Sequence, residues 1–374
     1  MTTATKTAMG RTKPPFRADM VGSLLRSATL RDARTKHEKG EIPADALREI
    51  EDQEIRKLVK KQESIGLQAV TDGEFRRSWW HYDFLWNLDG IERRKLDKGI
   101  QFAGVQTRAE SPQVVGKIGF TKHPHLEHFR FLKGVTTHVA KMTIPSPSML
   151  HYRGGRKMIN AGLYPDLEEY YADLAKAYAN AVKAFYAAGC RYLQLDDTSL
   201  SYFCDMGQRQ MLIDRGDDPD VLIRRYKEMI NTATKERPAD MVMTTHTCRG
   251  NFMSTHVASG GYDPVAKFIF NEIDVDGYFM EWDDERSGGF EPLRHLPKGK
   301  HVVLGLVTTK TGSLEKKDDI KRRIDQAAKF APLDQLCLSP QCGFASTEEG
   351  NILAEDEQWR KLEMIVEIAR EVWG

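Results

Sequence analysis

Eight short apolar runs, each followed by a longer polar or amphipathic stretch, constrain most strongly how this chain can fold. They are DMVGSLL (19–25), LQAVTDGEF (67–75), HVAKMTIP (138–145), YLQLDDTS (192–199), MVMTTHTC (241–248), GYFMEW (277–282), HVVLGLV (301–307) and QLCLSPQCG (335–343). Strands that read as nearly continuous apolar residues are covered on both faces, and helices between them make the sheet parallel. Eight such units predict an α/β fold of the (β/α)8 TIM-barrel type. An open doubly wound sheet is the alternative, and the lack of a GxGxxG after the first run argues against its dinucleotide-binding form. Helices are expected over about 43–65, 166–189, 314–330 and 356–373. The clearest is 166–189, where Leu167, Tyr170, Tyr171, Leu174, Tyr178, Val182 and Phe185 fall on one face and Gly189 marks the stop.

One stretch breaks the rhythm. Residues 88–138 are rich in Gly, Lys and β-formers, which predicts an inserted β-rich segment between the second and third barrel strands. The first sixteen residues read as a short disordered arm. Residues 17–374 read as one domain, since no linker divides them.

Charge removes several function classes. Fifty-five Lys and Arg stand against 54 Asp and Glu in 374 residues, a net charge of +1. That balance provides neither a basic face for nucleic acid nor a polybasic membrane anchor. No apolar run reaches the length of a membrane span. Five scattered cysteines, an odd number, do not make a disulfide framework, so a reducing cytoplasm is the expected setting. Small molecules are the expected partners, and self-association is left open.

Chemistry concentrates where the runs end. Ser23 ends the first and Asp72 with Glu74 the second. Asp196 and Asp197 end the fourth, His246 and Cys248 the fifth, Glu281 the sixth. Lys310 follows the seventh, and Cys342 ends the eighth. A barrel gathers these ends at one mouth, where catalytic groups collect. His246 and Cys248, two apart on a strand, share a face. With Cys342, and with Glu281 as a fourth donor, they form a set that suits Zn2+ better than Mg2+ or Ca2+. Spacing alone leaves a second reading open, a satisfied core histidine and two buried thiols. Cys190, Cys204 and Cys337 read as structural. Glu74 and Asp196 suit acid–base work or an ammonium partner, but equally a salt bridge or a helix cap. The aromatic run WWHYDFLW (79–86) reads as core or contact surface, with a ring-stacking platform as the alternative.

The set VGS (21–23), DGEFRR (72–77), LQLDD (193–197), HTC (246–248), Glu281 and SPQCGF (339–344) resembles the catalytic domain of cobalamin-independent methionine synthase. It is more similar still to the short, single-domain relatives of that family. The resemblance runs from about residue 17 to the C-terminus with the motifs in order. It implies a barrel with zinc at its mouth, held by His246, Cys248, Glu281 and Cys342. It implies that Ser23, Glu74 and Asp196 hold the amino-acid part of homocysteine, whose sulfur takes a methyl group to give methionine. The donor would be 5-methyltetrahydrofolate or another methylated compound. The N-terminal duplicate barrel of the large synthases has no counterpart here, and Lys310 stands where they carry a histidine. The alternative on this scaffold is alkyl transfer to another thiol, such as coenzyme M opening an epoxide. Glu74 and Asp196 favour an amino thiol over a sulfonate. A metal-free binding protein for an amino acid or thiol is a third reading, favoured if methionine binds without zinc, and a Mg2+-dependent hydrolase or lyase leaves His246, Cys248 and Cys342 unexplained.

Overall fold

The computed structural model describes residues 11–374 apart from Glu236. Its strands are β1 (Ala69–Val70), β2 (Asp89–Lys95), β3 (Gln101–Phe102), β4 (Val105–Gln106), β5 (Glu110–Gly119), β6 (Val139–Pro145), β7 (Tyr192–Asp197), β8 (Val242–Thr247), β9 (Gly277–Glu281), β10 (His301–Val307) and β11 (Leu336–Pro340). Seven of them form one parallel sheet in the order β1-β6-β7-β8-β9-β10-β11. Each neighbouring pair runs in parallel register, with Asp196 opposite His246 and Glu281 opposite Gly305. This is an α/β fold with a curled parallel sheet of TIM-like character. Apolar side chains on one face join the helices in a large core. On the other face Val21, Phe279, Val303 and Cys337 form a small cluster of their own. No helix among the described residues is long and apolar enough to cross a membrane.

The first expected strand, 19–25, is not one. A single parallel bridge joins Ala18 to Leu338, through Asp19 N to Leu338 O at 3.0 Å and Leu338 N to Arg17 O at 2.9 Å. On the other side, side chains replace the ladder. Thr71 Oγ1 donates to the Gly22 carbonyl at 2.6 Å and Gln194 Nε2 to that of Val21 at 2.9 Å. The backbone is satisfied without strand pairing. The second run is shortened to β1 for the same reason, because the Gln62 amide both donates to and accepts from the Thr71 backbone.

Helices fall where the apolar period places them. Ala44–Ile65 ends on Gly66 at φ +99°. Leu167–Ala187 starts at Asp166, whose carboxylate accepts from Glu168 N, and buries six of the seven expected face residues, Tyr170 to Phe185. Lys317–Ala327 and Glu355–Trp373 are the last two long ones. Between β1 and β6 the chain makes two antiparallel pairs, β2 with β5 and β3 with β4. The β-rich expectation does not extend to 138, because Pro124–Val135 is a helix with Pro at its first turn and Phe129 and Leu132 buried. Of the expected N-terminal arm, residues 1–10 lie outside the described residues. Within 11–16, Arg11 bonds to the carbonyl of Pro14 and to the ring of His301, and Phe16 is buried.

Candidate active site

The carboxyl ends of the strands surround a small cavity lined by Ser23, Glu74, Asp196, His246, Cys248 and Cys342 among others. Six of the seven residues expected at the site therefore meet in one place. Their convergence follows from parallel pairing, which puts every strand end on the same rim.

The sulfur-rich corner is tight. The Sγ atoms of Cys248 and Cys342 lie 3.3 Å apart. One donor atom from each of His246, Cys248 and Cys342 falls within 4.8 Å of the others, and all three residues are buried. His246 Nδ1 lies 3.3 Å from the Phe279 carbonyl. A carbonyl only accepts, so Nδ1 carries the proton and Nε2 presents a lone pair. That Nε2 is buried and has no hydrogen-bond partner. A ring fixed by a backbone carbonyl through one nitrogen, with the other free, is how proteins present a metal-ligating histidine. The Cys248 thiol is pushed well up by its hydrogen bond to Cys342 and by burial. Two thiols in so small a space do not ionise together unless a cation joins them. The donor set fits a thiophilic metal ion.

Glu281 lies beside this corner and outside it. Its Oε2 accepts from Arg249 N at 2.9 Å, and its Oε1 is 3.4 Å from Gln341 Nε2. Arg249, Arg286 and Lys310 stand 3.8–4.0 Å from the carboxylate. It is fully buried, and those three cations, Lys310 foremost, hold it below the usual carboxylate range against the effect of burial.

The carboxylates face the cavity from the other side. Glu74 Oε1 accepts from Thr143 Oγ1 at 2.9 Å and pairs with Arg77 at 3.3 Å, while Oε2 is buried without a partner. Glu74 sits at φ +60°, a backbone conformation that a side chain with a Cβ rarely adopts. The Asp72 carboxylate holds that turn by accepting from Glu74 N at 2.9 Å, so Asp72 shapes the loop. Burial pushes Glu74 up to about 7 and Asp196 up to about 6. Asp196 Oδ1 accepts from Gln194 Nε2 at 2.7 Å. Its neighbour Asp197 spends both oxygens on Ser148, Ser199 and Leu200 N, anchoring the turn after β7.

Other residues came to notice only in three dimensions. Arg26, buried, donates to the carbonyls of Leu24, Glu74, Arg77 and Ala345, tying three rim loops together. Asn251 Nδ2 holds the Gly343 carbonyl at 2.8 Å beside Cys342. Phe102, from β3, lines the cavity, so the segment between β1 and β6 reaches over the site. The aromatic run divides its duties: Trp79, Tyr82 and Phe84 are core, and Trp80 lines the cavity. A lone Arg or Phe in a loop carries no sequence signal for such a role.

Comparisons with known proteins agree with this geometry. The sequence model described as "Cobalamin-independent synthase, Catalytic domain" matches residues 16–371. The chain is 54% identical over 363 residues to the uncharacterised Bacillus subtilis protein YxjH, covering 96% of each. A methionine synthase of Saccharolobus solfataricus is 24% identical, with 95% of this chain and 94% of that one covered. The match to the 5-methyltetrahydropteroyltriglutamate–homocysteine methyltransferase of Bacillus velezensis, 24% identical, covers 89% of this chain but 40% of that protein. Among solved structures, a Listeria monocytogenes protein provisionally named a vitamin-B12 independent methionine synthase has 44% identity and a TM-score of 0.79, covering 97% of this chain and all of that one. The B12-independent methionine synthase of Shewanella sp. W3-18-1, solved with selenomethionine, shares the fold at 19% identity and a TM-score of 0.71, over 95% and 97% of the two chains. With the model spanning nearly the whole chain, this protein belongs to the family of the cobalamin-independent synthase catalytic domain.

Proposed function

We propose that this protein is a zinc-dependent methyltransferase that methylates the thiolate of homocysteine to give methionine. One observation carries the reading. A buried His/Cys/Cys donor cluster and two buried carboxylates line the same small cavity. Family membership supports methyl transfer to homocysteine, and the Saccharolobus relative bears the name methionine synthase. The residues stand on a single domain, 17–374, in which the extended segment 17–24 serves as the eighth stave of a (β/α)8 barrel.

His246, Cys248 and Cys342 would hold the zinc. When bound, the ion supplies a Lewis acid that keeps a thiol in its thiolate form at neutral pH. Glu281, outside the cluster, balances the surrounding cations and is the candidate for a fourth, exchangeable ligand. Glu74 and Asp196 pair with the substrate ammonium. Glu74 Oε2, the acceptor left without a partner, is the natural first contact. Ser23, whose Oγ lies 3.4 Å from Ala345 N, receives the carboxylate. In the transfer the sulfur lone pair forms the new S–CH3 bond. The electrons of the broken CH3–donor bond leave with the donor, and the proton lost by the thiol balances the charge. The donor is 5-methyltetrahydrofolate or another methylated compound. A sulfonate thiol such as coenzyme M is disfavoured, because Glu74 and Asp196 would face its anion.

Metal analysis of the purified protein, followed by homocysteine titration at the zinc absorption edge, tests the reading. One zinc per chain and a new zinc–sulfur contact on titration are expected. Zinc that ignores homocysteine would overturn it.

A further inference from the structure

The two ends of the thiol site stand on different loops, and the segment 22–26 runs between them. The loop after β11 carries Cys342, and the loop after β1 carries Glu74. On one side Ser23 is bonded to the Cys342 loop. Its carbonyl accepts from Phe344 N at 2.9 Å and its Oγ from Ala345 N at 3.4 Å. The two backbones approach so closely that a Cβ on Gly343 would collide with Ser23 Oγ. On the other side Leu24 N donates to the Gly73 carbonyl at 3.1 Å. Asn251 and Thr309 hold the Cys342 loop from its far side, both donating to the Gly343 carbonyl.

Arg26 closes this splint. Its Nη1 donates to the carbonyls of Leu24 at 3.0 Å and Ala345 at 2.9 Å, and its Nη2 to those of Glu74 at 2.8 Å and Arg77 at 3.1 Å. It is buried, and among the described residues no carboxylate lies within ion-pair reach of it. Burial pushes it down to about 10, so it is still a cation at neutral pH. A buried charge without a counter-charge is costly. The planar fork offsets that cost by satisfying carbonyls in separate loops, which the single nitrogen of a lysine does not span. One of those carbonyls belongs to Glu74, whose φ of +60° persists only where the surroundings hold it. The Glu74 carboxylate is fixed in turn by Thr143 and Arg77. Arg26 itself does not line the cavity.

The sulfur end and the ammonium end of the site are thus tied at a set separation. An amino thiol has to reach both at once, and the methylenes between its sulfur and its α-carbon set its reach. Resting on the methyl-transfer reading above, we infer that Arg26 is a positioning residue that fixes the separation between the metal corner and Glu74, and that this separation selects the amino thiol by length.

Calorimetry on the zinc-loaded protein tests this with homocysteine and with cysteine, which is one methylene shorter. Wild-type protein should bind homocysteine about tenfold to two-hundredfold more tightly than cysteine, the range for one methylene. Arg26→Gln should weaken homocysteine about tenfold and leave cysteine within about twofold, so that the preference falls about tenfold, as expected when a positioning group slips. Arg26→Lys, which keeps the charge but bonds from one point, should fall between the two. Metal analysis should find one zinc per chain in both variants, which reports an intact metal corner. If Arg26→Gln does not fold, the preference measured in Arg26→Lys decides alone. Equal weakening of both thiols, the mark of general loosening, would overturn the inference. So would an unchanged preference in a zinc-loaded variant, or wild-type protein that binds cysteine as tightly as homocysteine. Failure of homocysteine to bind zinc-loaded wild-type protein would instead overturn the methyl-transfer reading.

Discussion

Buried charge occurs at both ends of the sheet, and the two ends treat it differently. At the end where the strands begin, Lys141 is 1% exposed and Asp19 2%. Lys141 Nζ reaches Asp19 Oδ1 at 3.2 Å and the Met20 carbonyl, and Tyr192 OH donates to Asp19 Oδ2 at 2.8 Å. Every polar atom of that group has a partner. At the end where the strands finish, Glu74 Oε2 and His246 Nε2 are buried with none. A satisfied buried network stabilises one packing. An orphaned buried atom is costly, and one that lines a cavity gains its missing partner when a ligand binds.

The widest break in that contrast should come from His246→Ala and Cys342→Ser. Each is expected to abolish stoichiometric zinc by metal analysis, while the melting temperature of the chelated protein stays within a few degrees of wild type. Lys141→Met should do the reverse. It leaves Asp19 buried and unpaired, which costs about 3–5 kcal/mol in urea unfolding, while zinc per folded chain is retained.

Glu74→Gln sharpens the comparison from the site side. It should raise the homocysteine dissociation constant by a factor corresponding to about 1.5–3 kcal/mol, the value of a hydrogen bond to a charged partner. It should not destabilise the ligand-free protein. Burial has raised Glu74 to about 7 from the ordinary 4.5, so its folded form binds the proton more tightly than the unfolded chain does. The resulting stability is present below the unfolded value and lost as pH rises through about 7. At pH 8 the ionised carboxylate is a strain on the fold, and the neutral amide should raise the melting temperature there.

The smallest effect is in pH dependence. Pairing with an ammonium needs ionised carboxylates, so homocysteine affinity should fall a few-fold between pH 8 and pH 6, as Glu74 takes up its proton. Loss of the thiol's own proton adds a pH dependence common to both proteins, and in Glu74→Gln only the part due to Glu74 should vanish; calorimetry across the range reads the difference.

Much of the fold was legible because burial leaves a periodic mark. The helix at 167–187 and seven of the eight expected strands follow from apolar spacing and from glycine stops such as Gly189. The first run misled because its backbone is satisfied by the side chains of Thr71 and Gln194, and no pattern within residues 19–25 records that. The span 124–135 departs from the β-rich expectation because it follows β-rich neighbours in the chain, although Pro124 at its start is itself a helix signal. At the site, the strand-end position marked His246, Cys248, Cys342, Glu74, Asp196 and Ser23 as neighbours, and they line one cavity.

The amino-acid sequence by itself determined which residues stand at the ends of strands, since alternating apolar runs and helices admit little but a parallel sheet covered by helices. The tertiary structure decided which of those residues face one another. It left Asp196 open to the cavity and tied Asp197 to the turn after β7, surrounded Glu281 with three cations, and brought Phe102 from β3 and Arg153 from the helix Ser148–Gly154 to the walls. The reason is physical. Strand position is set by local burial, but partnership across a mouth is set by contacts hundreds of residues apart, and one sequence read along its length carries no term for them.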